Sequence, residues 1–212
     1  MLLQPAAAPT VRITARVVAT KRNVRIFTCC ALQTDLRTIR EMKQLAPFNL
    51  ARWINQHRDE LKPPVGNRRL FADSEFIIMV VGGPNSRKDF HLDPAEEFFF
   101  QLEGTMTLRT VESGRIVDRL LSQGDVLLLP PNVPHCPVRP ANTVGLVVER
   151  ERRAGEMDGF QWFCENCEAL LYEARFELSD IEQQFTNLFA RFYGDLQRRT
   201  CRRCGNVMEP PA

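Results

Sequence analysis

Residues 76–104 read FIIMVVGGPNSRKDFHLDPAEEFFFQLEG, and this stretch decides the fold. It contains two short apolar runs, at 76–81 and 98–102, and a glycine-containing turn closes each run. Runs of this length between turn residues are typical of buried strands and are short for helices. The stretch therefore predicts two core strands that are joined by a long polar loop.

The same β pattern continues to residue 149. The further strands that we expect lie at 105–111, 116–121, 126–129 and 143–148, with turns at 112–115 and 123–125. Short strands at about ten-residue spacing, with no helices between them, indicate an antiparallel sandwich or barrel of about eight strands. A parallel α/β sheet is excluded. Before the barrel we expect only a short helix, capped by Asn49 and ended by the prolines of residues 62–64.

The charge of the chain is unevenly distributed. The 212 residues include 28 Lys and Arg against 26 Asp and Glu, but residues 1–41 alone carry +5, which leaves −3 for residues 42–212. We expect residues 1–41 to be a basic leader outside the fold, upstream of a possible start at Met42; a transit peptide is the open alternative. No apolar run approaches the roughly 18 residues of a spanning helix, so we expect no membrane partner.

Four of the seven cysteines form two CxxC pairs, Cys164 with Cys167 and Cys201 with Cys204. An odd number of cysteines without a signal peptide favours a reducing compartment, and we expect a cytoplasmic protein. Two CxxC knuckles supply four thiolates, a donor set that suits tetrahedral Zn or Fe. The sequence therefore predicts a second metal site, with Fe or Zn, in a C-terminal module at 154–212 that also contains a helix at 179–198.

The chain has only three histidines, so a histidine-based site has little choice of ligands. His91 ends the polar loop, Glu97 begins the next strand, and His135 follows a strand and a proline-rich corner. Two imidazoles and one carboxylate on adjacent strands can bind one face of an octahedral metal and leave the other face open, as non-haem Fe(II) enzymes require. We predict a metal site at these three residues and expect His57 on a helix surface.

These residues resemble the two sequence motifs of the cupin family. His91, Glu97 and Gly104 match the first motif, and the stretch from Gly124 to His135 matches the second. Asp93 departs from the pattern, because many cupins have another histidine there. The resemblance implies an all-β fold, a cupin double-stranded β-helix or jelly-roll barrel at residues 42–153, with three protein ligands to its metal.

Further motifs narrow the resemblance to the 3-hydroxyanthranilate 3,4-dioxygenase family. They are PFN at 47–49, KPPVGNR at 62–68, VVGGPN at 80–85, EEFF at 96–99, LLPP at 128–131 and ER at 149–150. With the rubredoxin-like CxxC module, the resemblance covers about residues 45–205. It implies a homodimeric Fe(II) extradiol dioxygenase that opens 3-hydroxyanthranilate with O₂. The product, 2-amino-3-carboxymuconate semialdehyde, cyclises to quinolinate, which leads from tryptophan catabolism by the kynurenine pathway to NAD.

The resemblance also implies roles for two arginines and two glutamates. Arg87 and Arg139 would hold the substrate, Arg87 would also contact O₂, and Glu97 and Glu149 would contact the substrate, with Arg87 and Glu149 as catalytic residues. The residue types suit these roles. A guanidinium binds a carboxylate through two parallel hydrogen bonds, and each arginine lies four residues from a predicted histidine ligand. A glutamate at a strand end could accept the proton of the substrate hydroxyl.

Two alternatives stay open. Another metal-dependent cupin oxygenase or isomerase, acting on a small aromatic or carboxylic acid, would use the same metal ligands. A regulatory or nucleic-acid-binding protein would use the CxxC module as a zinc ribbon and the leader as a basic arm. The −3 charge of residues 42–212 disfavours that reading, because nucleic-acid affinity rests largely on phosphate neutralisation. We therefore predict an enzyme with a small-molecule substrate and no nucleic-acid partner.

Overall fold

The computed structural model describes residues 46–63, 66–179 and 181–211. The predicted leader at 1–41 lies outside these residues. The described elements are, in chain order, α1 (Leu50–Gln56), a 3-10 turn (Arg58–Leu61), β1 (Asn67–Arg69), β2 (Phe76–Gly82), β3 (Asp89–Leu92), β4 (Glu97–Glu103), β5 (Met106–Glu112), β6 (Arg115–Leu121), β7 (Val126–Leu129), β8 (His135–Val138), β9 (Val144–Arg150), β10 (Met157–Phe163), β11 (Leu170–Glu177), α2 (Ile181–Tyr193) and α3 (Leu196–Arg199).

The described strands form two antiparallel sheets. One sheet has the order β1-β2-β9-β4-β7 and the other has the order β11-β10-β3-β8-β5-β6. Strands that are distant in sequence, such as β2 with β9 and β3 with β10, are neighbours within each sheet, as in jelly-roll folds. The predicted all-β fold is confirmed, and residues 70–149 hold eight strands, β2 to β9, as expected.

The alternation of β4 determines what faces the inside of the barrel. Glu97, Phe99 and Gln101 are buried, whereas the residues between them are only partly buried. Phe99 joins an apolar core, whose other buried members are Met106, Leu108, Leu121, Leu129 and Val147. Glu97 and Gln101 therefore place a carboxylate and an amide on the same inner face as the core, where polar groups need specific partners.

The first helix and the residues after it pack on the five-stranded sheet. Asn49 caps α1 as predicted, because its side chain accepts a hydrogen bond from the Arg52 amide at 2.8 Å. His57 follows the helix, its Nδ1 lies 2.8 Å from the Trp53 carbonyl oxygen, and its ring stacks on Trp53. The described contacts of the His57 ring are thus with Trp53, one helical turn earlier. Among the described residues, no helix combines the length and the hydropathy needed to span a membrane.

The C-terminal segment continues the six-stranded sheet. β10 pairs with β3, with Phe160 opposite His91, and β11 pairs with the other edge of β10. The domain boundary at 153/154 stays a prediction. The helix expected at 179–198 consists of two helices, α2 and α3, because the chain leaves the helical path at Gly194 and Asp195 caps the second helix. α2 packs on the sheet through a cluster whose buried members are Phe160, Trp162, Leu188, Phe192 and Met208.

Candidate active site

The three predicted metal ligands lie together inside the barrel. His91 of β3 is the register partner of His135 of β8, and Glu97 is the first residue of β4. One possible ligand atom from each residue lies within 4.8 Å of the others. His135 Nδ1 lies 3.0 Å from the Val133 carbonyl oxygen, which leaves Nε2 directed towards Glu97. Sheet pairing thus brings the three residues into one cluster.

The Glu97 carboxylate tests whether the cluster fits a metal. Its Oε2 lies 2.8 Å from His135 Nε2, yet this buried atom makes no well-aligned hydrogen bond to any described residue. Burial opposes the ionisation of Glu97, but the charge of the neighbouring His135 outweighs burial and lowers the pKa of Glu97. An ionised carboxylate with a poorly paired oxygen beside two imidazoles fits a divalent transition metal.

Arg139 is fully buried and only partly paired. Its side chain is 1% exposed, and its Nη1 donates to Gln101 Oε1 at 3.1 Å. Its buried Nε has no hydrogen-bond partner among the residues that the structure describes. Burial lowers the pKa of Arg139 to about 10. A buried guanidinium with an unused donor is well suited to an anion. The backbone of Gly145 makes room for it, since a Cβ there would lie 2.7 Å from Nη1.

Arg87 is held by an acidic neighbour. Its Nε and Nη2 both donate to Asp89 Oδ2, and its side chain is partly exposed, whereas Asp89 is buried. Burial opposes the charge of Arg87, but Asp89 outweighs burial and raises the pKa of Arg87. Arg87 also interacts electrostatically with Glu97. The ion pair therefore fixes Arg87 beside the predicted metal ligands.

Glu149 is buried near the end of β9 and faces other charged groups. Burial, and then a hydrogen bond with Asp93, raise the pKa of Glu149 to about 10. Arg152 Nη1 lies 3.1 Å from Glu149 Oε2 and is the nearby cation that favours the carboxylate. Glu149 therefore has a high affinity for a proton, and it lies within the electrostatic range of Glu97.

Sequence reasoning missed several residues around this site, namely Asp93 as an ion-pair partner, Gln101, Arg152 and Asp158. Gln101 has a detectable signal, because it lies two strand positions beyond Phe99 and so shares the inner face of β4. Arg152 has no such signal in the sequence, because residues 149–153 are all charged, and a run of charged residues is typical of a solvated surface. Asp158 comes into contact only through the pairing of β10 with β3.

The four predicted thiolate ligands also lie together. The Sγ atoms of Cys164 and Cys204 are 3.5 Å apart, as are those of Cys167 and Cys201, and all four lie within 4.8 Å. A disulfide requires about 2.05 Å, whereas tetrahedral bonds of about 2.3 Å to a shared metal place sulfurs about 3.8 Å apart. The cluster therefore fits a single metal ion and does not fit disulfides.

Both knuckles have the same backbone form. Cys164 and Cys201 each accept a hydrogen bond, at their carbonyl oxygens, from the amide four residues later, at 2.9 Å in each case. The residues that donate these bonds, Glu168 and Gly205, have φ values of +58° and +75°. Glycine adopts this left-handed conformation without strain, so Gly205 is the expected residue type and Glu168 is the exception.

Comparisons with known proteins show which family the chain resembles. The sequence model of the 3-hydroxyanthranilic acid dioxygenase family matches residues 42–193. A 3-hydroxyanthranilate 3,4-dioxygenase from Xanthomonas euvesicatoria pv. vesicatoria (strain 85-10) is 52% identical over 167 residues, which cover 79% of this chain and 94% of that protein. A 3-hydroxyanthranilate 3,4-dioxygenase from Bacillus cereus (strain ATCC 10987 / NRS 248) is 45% identical, over 78% of this chain and 93% of that protein.

A solved cupin-2 domain containing protein from Shewanella frigidimarina NCIMB 400 aligns with 46% of this chain and 92% of its own, with a TM-score of 0.39 and 15% identity. The family match covers most of the chain, including all three clustered ligands in the barrel and both arginines. The identity to the Xanthomonas protein extends over nearly the whole of that relative. This chain therefore belongs to the 3-hydroxyanthranilic acid dioxygenase family.

Proposed function

We propose that this chain is an Fe(II)-dependent extradiol dioxygenase that opens the ring of 3-hydroxyanthranilate. One ring carbon–carbon bond breaks and both atoms of O₂ enter the product, 2-amino-3-carboxymuconate semialdehyde, which cyclises to quinolinate on the way to NAD. The observation that carries the proposal is the placement of a two-histidine, one-glutamate cluster and the buried Arg139 on the inside of one barrel. Family membership supplies the substrate.

The metal ligands in this proposal are His91, Glu97 and His135. Their donor set fits Fe(II), and three protein ligands leave coordination positions for substrate and O₂. Bound Fe(II) would supply the one-electron chemistry that lets O₂ react with an aromatic ring. The protein supplies the geometry and excludes water. Phe99 contributes to this exclusion, because its buried ring lies 6.1 Å from the His135 ring.

Arg139 binds the carboxylate of the substrate. Its guanidinium is buried, has an unused Nε, and is positioned by Gln101. A carboxylate that accepts two hydrogen bonds from this group would neutralise a charge that burial otherwise disfavours. Arg139 therefore favours substrates that carry an acid group.

Glu149 acts on the hydroxyl group of the substrate, and Arg87 contacts both the substrate and O₂. Glu149 holds or moves the proton of the substrate hydroxyl, and its buried position with a raised pKa gives it a high proton affinity. Arg87 is already held by Asp89, so it can contact substrate and O₂ with a smaller loss of side-chain entropy on binding. Glu97 also contacts the substrate from its position among the metal ligands.

The test is turnover by protein that is loaded anaerobically with Fe(II) and then exposed to O₂. We expect one O₂ consumed for each 3-hydroxyanthranilate lost, with the product followed by its absorbance. The His91→Ala variant should lose turnover, whereas His57→Gln should retain it, because His57 lies at the end of α1 and contacts Trp53. Absence of ring cleavage by the wild type, or full activity of His91→Ala, would refute the proposal.

A second comparison separates this activity from that of another cupin oxygenase or isomerase. Arg139→Ala should keep its iron but should raise the KM for 3-hydroxyanthranilate strongly. The KM for 2-aminophenol, which lacks the carboxylate, should change little. An unchanged KM for 3-hydroxyanthranilate in Arg139→Ala would favour a different substrate acid.

We further propose that the four cysteines hold a second iron or a zinc ion, and that the protein is a cytoplasmic homodimer. The tetrahedral spacing of the thiolates supports either metal. Element analysis of protein purified without a metal-affinity tag identifies the ion. Light scattering gives the mass in solution, which should be twice that of one chain.

A further inference from the structure

Arg152 lies at the centre of a buried group of carboxylates behind the candidate site. We call this group the Arg152 cluster, and its members are Asp93, Glu149, Arg152 and Asp158. The Arg152 side chain is 9% exposed and the three acidic side chains are between 0 and 7% exposed. Buried charges need partners with good geometry, so each contact in the cluster is informative.

On one side, the cluster reaches a predicted metal ligand. Arg152 binds Asp158 through two parallel hydrogen bonds, from Nε to Oδ2 and from Nη2 to Oδ1, both at 2.8 Å. The same Oδ1 lies 2.9 Å from His91 Nε2. Asp158 thus binds the guanidinium and the imidazole at the same time. A carboxylate that holds the ring of a histidine ligand fixes the orientation of that ring.

On the other side, the cluster reaches the proposed proton-handling carboxylate. Arg152 Nη1 lies 3.1 Å from Glu149 Oε2, and Nη2 lies 2.9 Å from Asp93 Oδ2. Asp93 is itself fixed, because its Oδ1 accepts a hydrogen bond from the Ala95 amide at 2.6 Å. A continuous series of contacts therefore runs from His91 through Asp158 and Arg152 to Glu149.

Stability alone does not explain this arrangement. One guanidinium serves three buried carboxylates, and buried ionic groups are often no more stabilising than apolar side chains of similar volume. The guanidinium fork, however, can bind several oxygens in fixed directions, which an ammonium group cannot. The cluster is thus better suited to positioning the groups that it contacts.

We propose that Arg152 and Asp158 are positioning residues that fix His91 for metal binding and Glu149 for substrate binding. The inference rests on the proposed function and adds two residues to the site. Both residues act through His91 and Glu149. Asp158 acts chiefly on the metal ligand, whereas Arg152 acts on both sides.

The test measures Fe(II) affinity and KM separately. Protein that carries one equivalent of zinc for the four-cysteine site is dialysed anaerobically against graded Fe(II), and iron is counted apart from zinc by element analysis. His91→Ala gives the background. We expect Asp158→Asn and Arg152→Lys to weaken Fe(II) binding 10- to 100-fold. The KM for 3-hydroxyanthranilate should rise more in Arg152→Lys than in Asp158→Asn. Glu149→Gln should raise KM and leave the Fe(II) affinity at the wild-type value.

Arg150→Lys is the matched control. Arg150 lies two residues from Arg152, and its side chain forms its own two-bonded ion pair with Glu156. Its backbone carbonyl accepts a hydrogen bond from Arg152 Nη1 at 3.2 Å, which the substitution leaves in place, and its side chain has no hydrogen bond or ion pair with Asp158 or Glu149 among the described contacts. Its Fe(II) affinity and KM should equal those of the wild type. Wild-type values of both quantities in Asp158→Asn and Arg152→Lys would overturn the inference, and so would equal losses in Arg150→Lys. Iron binding that is the same in the wild type and His91→Ala would instead overturn the proposed function.

Discussion

The guanidinium of Arg139 lies directly against the backbone of Gly145, so a Gly145→Ala substitution tests the substrate-binding role of the arginine. A Cβ at residue 145 would lie 2.7 Å from Nη1, 2.9 Å from Nη2 and 3.1 Å from Cζ. Real Cβ contacts are longer, so one group must move. The three atoms belong to the end of a flexible side chain, and the guanidinium therefore moves while the strand stays in place.

The size of the effect follows from the contacts that are displaced. Hydrogen bonds to charged groups contribute about 1.5–3 kcal/mol each. Loss of one such contact between Arg139 and the substrate carboxylate should raise KM about 10- to 150-fold, since about 1.4 kcal/mol corresponds to a factor of ten. Stability should change by only about 1 kcal/mol, because alanine also lowers the entropy of the unfolded chain.

The assay is steady-state turnover of the Fe(II)-loaded variant with 3-hydroxyanthranilate and with 2-aminophenol. Gly159→Ala is the control, because a Cβ there would meet another arginine side chain, at 2.7 Å from Arg175 Cδ, on the other sheet. Its KM should stay at the wild-type value. An unchanged KM in Gly145→Ala, or an equal rise for the substrate without a carboxylate, would refute the reasoning about Arg139.

Three further predictions concern stability and the second metal. In the metal-free protein, Glu149 keeps its proton up to a pKa of about 10, against an ordinary value of 4.5, so its contribution to stability falls as the pH rises between these values. The free energy of unfolding of the wild type, measured in urea from pH 5 to pH 8, should therefore fall by up to about 1.4 kcal/mol per pH unit through Glu149, and Glu149→Gln should lack this fall. Parallel curves of unfolding free energy against pH for variant and wild type would contradict this. Cys201→Ser should lose the second metal and lower Tm while iron at the histidine site persists, as measured by element analysis and calorimetry; an unchanged metal count would exclude Cys201 as a ligand. Phe192→Ala should destabilise the protein by about 3–5 kcal/mol in denaturant unfolding, because the fully buried Phe192 ring stacks on Trp162 at 4.4 Å; a loss below about 1 kcal/mol would show that the cluster repacks.

The parts of the fold that follow from local pattern could be predicted from the sequence. The apolar runs and their turns locate β2, β4, β5 and β6, because alternation and turn residues act within a few positions. β3 and β8 could not be found this way, since each has only four residues and contains polar residues or a proline. They exist because neighbouring strands supply their hydrogen-bond partners.

In the candidate site, too, some residues could be predicted from local sequence pattern and others depend on long-range strand pairing. The clustering of His91, Glu97 and His135 could be predicted from residue type and spacing, although His91 lies within β3 and not at the end of a loop as expected. Asp158 could not, because it lies 67 residues from His91 and reaches that ring only through the pairing of β10 with β3. Long-range pairing of this kind leaves no local signal in the sequence.

The position of β10 has a consequence for any shortened form of this protein. β10 covers one edge of β3, so a chain that ended after residue 153 would leave that edge of the His91 strand unpaired and open to association with other chains, while the other edge would still face β8. The four cysteines lie outside β3 and β10, so we expect their replacement to leave the β10–β3 hydrogen bonds in place. The thiolate cluster could therefore be removed while β10 is kept. Deletion of all residues after 153 would instead remove β10, together with the Asp158 side chain that contacts His91.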